Sequence, residues 1–111
     1  MKLVLIFLNK IEYLEDILSA FLENGIPGAT VLSSEGMGHL IGDSIPIFAG
    51  LKDAFAGSSP ENKLIISAVK ASQVKMIKDI VEDIAGDLDQ PGVGPIFSLP
   101  VDQAFGLRTE E

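Results

Sequence analysis

The sequence has no cysteine, one histidine, one arginine and half as many cations as acids. Each shortage closes off some chemistry. Without cysteine there are no disulfides and no thiol chemistry. His39 would have to serve any Ser-His-Asp set. It lies in a glycine-bearing stretch near Ser33, Ser34, Glu35 and Asp43, where a lone histidine is more commonly a solvated local partner than a general base. A metal site on His39, Glu35 and Asp43 would fall at the lower limit of about three protein ligands. The expectation is that the protein is not an enzyme and holds no metal. No apolar run reaches the roughly 18 residues that a membrane span needs. The formal charge of −8 repels phosphate backbones and anionic lipid, so nucleic acid and membrane insertion are not expected. Residues 1–10 carry one short apolar run, but 11–16 offer no small-residue cleavage site. A buried first strand in a cytoplasmic protein is the reading that follows.

What is present is a regular alternation of elements. Residues 2–8 are almost continuously apolar, which marks a strand covered on both faces or central in a sheet. Asn9 is placed to cap a helix, in which Ile11, Leu14, Leu18, Phe21 and Leu22 recur at helical spacing. Gly25 suits the left-handed position that ends it. Residues 29–35 read as a second strand, 63–69 as a third and 96–99 as a fourth stopped by Pro100. Between the last two, Ser72 is placed to cap a second helix, with Val74, Ile77, Ile80, Val81 and Ile84 inward and Gly86 at its close. The tail from 101 has room for one helical turn. Residues 36–62 form an interval too long for an idle connection. Ile47, Phe48, Leu51 and Phe55 within it have helical spacing.

The order β-α-β-(long loop)-β-α-β predicts an α+β, ferredoxin-like βαββαβ fold, with a four-stranded antiparallel sheet and two helices on one face. One domain, 1–111, accounts for the whole chain, with 36–62 as a long effector-type loop. The other face of the sheet lacks helices, so association is expected to bury it. The acidic pairs Glu15-Asp16 and Glu82-Asp83 are solvated surface, because adjacent residues do not face each other on a helix. Gly36-Met37-Gly38 and Gly92-Val93-Gly94 are the more informative patches. Both let backbone come close to a ligand, as anion-binding nests do, although G-x-G alone usually marks a turn. Neither is a dinucleotide fingerprint, because no G-x-G-x-x-G opens a helix.

Glu23-x-Gly25-Ile26-x-Gly28-x-Thr30-Val31, followed by Gly36-Met37-Gly38 and Gly42, resembles the P-II nitrogen-regulatory signalling proteins. So do Phe48-Ala49-Gly50, Gln73-Val74, the run from Gly94 to Val101, and Leu107-Arg108-Thr109-x-Glu111. The resemblance covers nearly the whole chain. It implies a homotrimer with small-ligand clefts between subunits, a signal-transduction role in nitrogen or related metabolite regulation, and control of a partner protein, a transporter or enzyme, through the long loop. The ligand residues implied are Gly36, Met37, Gly38, His39, Gly92, Val93, Gly94 and Arg108. Asp43, Ile47, Phe48, Leu51, Lys52 and Phe55 would meet the partner.

The family binds ATP or ADP, with 2-oxoglutarate joining through magnesium, and here the sequence departs from its pattern. Pro95 stands where a phosphate-binding lysine is usual, and Gly106 where the first tail arginine is usual. Arg108 alone remains. An adenyl nucleotide is thereby weakened as the ligand, since one guanidinium and backbone N–H groups do not neutralise a triphosphate. Leu40 replaces the glutamine that helps hold 2-oxoglutarate. No tyrosine lies in 36–62, which excludes the family's nucleotidylation there. The alternative reading is a metal- or metabolite-binding trimer similar to the divalent-cation-tolerance proteins, using His39, Glu35 and Asp43. An amino-acid-sensing module of the ACT type is disfavoured by the long loop.

Overall fold

The computed structural model describes residues 1–37 and 62–107. The central strand is β1 (Lys2–Leu8), the apolar run that opens the chain. It is flanked by β3 (Asn62–Val69) and β4 (Ile96–Pro100), and β2 (Thr30–Ser34) pairs with β3 on its far side. All three pairings are antiparallel and give the order β2-β3-β1-β4. Two helices, α1 (Leu14–Glu23) and α2 (Val74–Ala85), complete the unit. The expected α+β, ferredoxin-like arrangement is therefore present.

Alternation along β1 sorts the sheet into two faces. Val4, Ile6 and Leu8 are fully buried and join Ile65, Val69, Ile17, Phe21, Ile77 and Val81 in one core beneath the helices. Ser67 is buried on the same side, where its hydroxyl donates to the Gly28 carbonyl at 2.6 Å. The opposite face carries Leu3, Leu5 and Phe7 of β1, with Leu64 and Ile66 of β3, Leu32 of β2, and Phe97 and Leu99 of β4. No described helix covers it. Leu32, Phe97 and Leu99 remain 47%, 49% and 45% exposed.

The helix entrances differ from the sequence reading. Asn9 does not cap α1: its backbone N–H donates to the Gly92 carbonyl, and a 3-10 turn at Ile11–Tyr13 leads into the helix without a side-chain cap. Ser72 likewise lies inside a 3-10 turn, Ala71–Gln73, where Gln73 Oε1 accepts from the Lys70 N–H instead. In both places a tight turn fits the strand-to-helix angle and takes over the role of a capping oxygen. In α1, Ile17 and Phe21 are buried and Leu14 and Leu18 pack against the core as expected, whereas Leu22 is 67% exposed. Pro100 pairs with Lys2 as the last residue of β4 rather than stopping the strand before it, which an edge strand permits. The tail shows no helical turn as far as Leu107.

Helix ends follow the expected glycines. Gly25 has φ +81° after α1, and Gly86 has φ +112° and ψ 178° after α2. That second conformation is nearly closed to residues with a Cβ. Gly86→Ala is expected to lower stability by about 1–3 kcal/mol in urea titrations. The added Cβ would also press on Gln90 Oε1 at 2.8 Å, a flexible side chain that can move aside.

Candidate functional site

The register gathers four chain segments at one end of the sheet. Ser34 pairs with Asn62, Leu8 with Lys63, and Ile6 with Ile96. The end of β2, the end of β1 and the starts of β3 and β4 therefore meet. The Phe7 N–H extends the ladder by donating to the Pro95 carbonyl at 3.0 Å. Here an open hollow of about 260 Å³ is lined by Phe7, Asn9, Gly36, Asn62, Gly94, Pro95 and Phe97. It is slightly smaller than the roughly 300–1,000 Å³ of most ligand pockets, and it lies at the margin of the uncovered face.

Two glycines from separate clusters share this hollow, and neither is required by its own backbone. Gly36 and Gly94 lack positive φ, and a Cβ on either would meet neighbours only at ordinary contact distance. At Gly36 that neighbour is Asn62 Nδ2, at 3.7 Å. At Gly94 the neighbours are Leu88, at 3.5 Å, and the Ile96 backbone nitrogen, at 3.8 Å, so only Gly36 leaves space beside Asn62. Gly92 is different: its φ of +88° needs glycine, and its carbonyl accepts from the N–H groups of Asn9 and Lys10. Its part is to fasten the 86–94 connection to the end of β1. The Val93 side chain is fully buried in the core, and its N–H donates to the Gln90 carbonyl at 3.4 Å.

Of the other expected ligand residues, Met37 is 69% exposed and outside the lining. Gly38, His39 and Arg108 lie outside the described residues. So do Asp43, Ile47, Phe48, Leu51, Lys52 and Phe55, the residues assigned to a partner. Among the described residues no group of three or more His, Asp or Glu side chains is placed to hold a metal. None of the helices described is long and apolar enough to cross a membrane.

Among the described residues the lining contains no charged side chain. The cations next to it in sequence are held on the other side of the sheet. Lys10 Nζ donates to the Ala85 carbonyl at 3.4 Å, at the end of α2, and Lys63 Nζ to Ser33 Oγ at 3.0 Å. Phe7 and Phe97 meet edge to face, with centroids 5.9 Å apart and an interplanar angle of 86°. This geometry suits the ring quadrupoles, and both residues line the hollow. Asn62 Oδ1 is buried and has no hydrogen-bond partner among the described residues.

The family model for nitrogen regulatory protein P-II matches residues 1–111. The chain belongs to the P-II family. No curated protein matches it. P-II proteins are regulatory signalling proteins rather than enzymes, and they form trimers that interact with partner proteins.

Against the P-II pattern, sequence reasoning located Gly36 and Gly94 but missed Phe7, Asn9, Asn62 and Phe97 as members of one hollow. Asn62 reads as the last residue of the long interval, and only the Ser34–Asn62 pairing moves it to the first position of β3. Phe7 and Phe97 read as strand residues. Strand alternation places them on the uncovered face, but it does not say that they would touch.

Proposed function

We propose that this P-II protein is a homotrimeric regulator that binds a small ligand between copies and controls a protein partner through residues 36–62. The uncovered apolar sheet face carries this reading, since Leu32, Phe97 and Leu99 stand about half exposed on it. Apolar patches of that kind mark interaction surfaces, and three copies placing these faces together would leave clefts at their margins. The hollow lies at such a margin, between Gly36 and Asn62, the two ends of the loop. A ligand seated there acts by favouring one arrangement of the loop over others, which changes the surface a partner meets. Nitrogen or related metabolite regulation is the role the family supports, in the cytoplasm.

Size-exclusion chromatography with light scattering checks the assembly, and three times the 11.8 kDa of one chain is expected. The ligand class is checked by a thermal-shift panel of ATP, ADP, AMP, 2-oxoglutarate, bicarbonate and divalent metals. A ligand at a hundred times its dissociation constant adds about 2.7 kcal/mol to the native state. For a domain of this size that raises the midpoint by roughly 10 °C or more. Nucleotide stabilisation that vanishes in Arg108→Ala supports the P-II reading. Stabilisation by metal alone, lost in His39→Ala, would replace it with the cation-binding trimer.

A further inference from the structure

We propose that Asn24-Gly25 is a self-modifying site, at which the Asn24 amide converts to aspartate and isoaspartate, and that Gln73 sets how fast this happens in the folded protein. It rests on neither a ligand nor an assembly. The asparagines of the chain are Asn9, Asn24 and Asn62, and Asn24 alone precedes a glycine, the other two preceding lysines. A following glycine matters because no Cβ obstructs its backbone nitrogen. That nitrogen attacks Asn24 Cγ. The N–Cγ bond forms, the Cγ–Nδ2 bond breaks, and ammonia leaves with the proton of the Gly25 N–H. Water then opens the cyclic imide at either carbonyl. Opening at Cγ gives aspartate; opening at the backbone carbon gives isoaspartate, with the chain running through the side-chain carbon. Water is the only co-reactant, and both residues are exposed to it. They end α1, in the layer opposite the uncovered sheet face, so copies meeting through that face leave them accessible.

The fold restrains both reacting groups. The attacking Gly25 N–H donates to the Leu22 carbonyl at 3.3 Å, and Asn24 Nδ2, the group that leaves, donates to the Ala20 carbonyl at 2.7 Å. Ring closure must break both bonds, so it proceeds from states in which the last turn of α1 has opened. The next residue is a fixed point: Ile26 is buried and its N–H donates to the Phe21 carbonyl at 2.8 Å. Among the described residues, the side chain that reaches the Asn24-Gly25 turn from outside α1 is that of Gln73. Its Nε2 donates to the Gly25 carbonyl at 3.3 Å while its Oε1 accepts from the Lys70 N–H at 2.9 Å. Gln73 thereby ties the end of α1 to the entrance of α2. Conversion puts a carboxylate beside Glu23, at the end of the helix where the dipole is negative, and removes the donor that holds Ala20. Each event therefore loosens the turn that delayed it.

The test is peptide mapping by mass spectrometry of the full chain, incubated in mildly alkaline buffer beside a sample unfolded in urea. Conversion is expected at Asn24 and not at Asn9 or Asn62. It should run about tenfold or more slowly in the folded chain than in urea, as two hydrogen bonds must open first. Gln73→Ala should speed conversion in the folded chain by about two- to tenfold, the weight of one net hydrogen bond, and leave the rate in urea unchanged. Gln73→Glu is the second variant. It keeps an acceptor for the Lys70 N–H, and so the 3-10 turn, but has no donor for Gly25 and should also convert faster. Amide hydrogen exchange in both variants should rise at Gly25 and stay unchanged in β1, which separates local opening from unfolding. Conversion at Asn9 or Asn62 as fast as at Asn24, equal rates in folded and unfolded chains, or Gln73 variants that convert at the parent's rate would overturn the proposal. So would a folded parent whose Asn24 stays intact through weeks of incubation.

Discussion

Replacing Phe21 with alanine is expected to lower the free energy of unfolding by about 3–5 kcal/mol. Phe21 is 1% exposed and is the largest of the fully buried side chains. It projects from α1 into the core shared with β1, β3 and α2. Its backbone also serves the helix end, because its carbonyl accepts from the Ile26 N–H at 2.8 Å and the Asn24 N–H at 3.1 Å. A cavity there cannot close cheaply: the sheet lies on one side, and the chain leaving α1 through Gly25 is fixed by those bonds. Small domains have about 5–15 kcal/mol in total, so the loss is a large share. Leu22→Ala, one residue further on, removes a side chain that is 67% exposed and should stay within about 0.5 kcal/mol. Urea titrations at matched chain concentration check the pair, since assembly makes stability depend on concentration. A similar loss at both positions would mean that the α1 face is assigned wrongly.

That contrast also shows where sequence reasoning runs out. The spacing of Ile11, Leu14, Leu18, Phe21 and Leu22 locates a helix, but the inward direction of its apolar stripe depends on where the helix starts. Leu22 stands about 100° round the helix from Phe21, so Leu14, Ile17, Leu18 and Phe21 pack toward the core and Leu22 is wet. Strands were easier. An apolar run bounded by turn residues fixes β1 and β3 to within a residue, and the order of elements fixes the sheet. The hollow was only half legible. Glycine pairs draw attention because they lack side chains, which brought Gly36 and Gly94 into view. Asn62, Phe7 and Phe97 enter by pairing register between strands far apart in sequence, and no local pattern encodes that. Gly92 and Val93 show the converse, since one serves a positive-φ turn and the other the core.

Leu5→Glu should convert the proposed trimer into single chains that keep their fold. Leu5 sits mid-sheet on the uncovered face, with Ile66 of β3 and Phe97 of β4 directly beside it. In one isolated chain a glutamate there reaches water, and the core on the other face is untouched, so far-UV circular dichroism should not change. In an assembly that packs these faces together, each copy would bury a carboxylate against Leu, Ile and Phe side chains. Removing one unpaired ion from water costs several kcal/mol, and symmetry repeats the penalty in every copy. The light-scattering mass should therefore fall to the 11.8 kDa of one chain. Leu22→Glu is the matched control: it places the same charge at an exposed leucine on the helical layer and should leave the mass unchanged. The variants also separate assembly from sensing. With the clefts gone, Leu5→Glu should lose the thermal stabilisation given by whichever panel ligand protects the parent, and Leu22→Glu should keep it. An undiminished mass for Leu5→Glu would show that the uncovered face is not the surface through which copies meet.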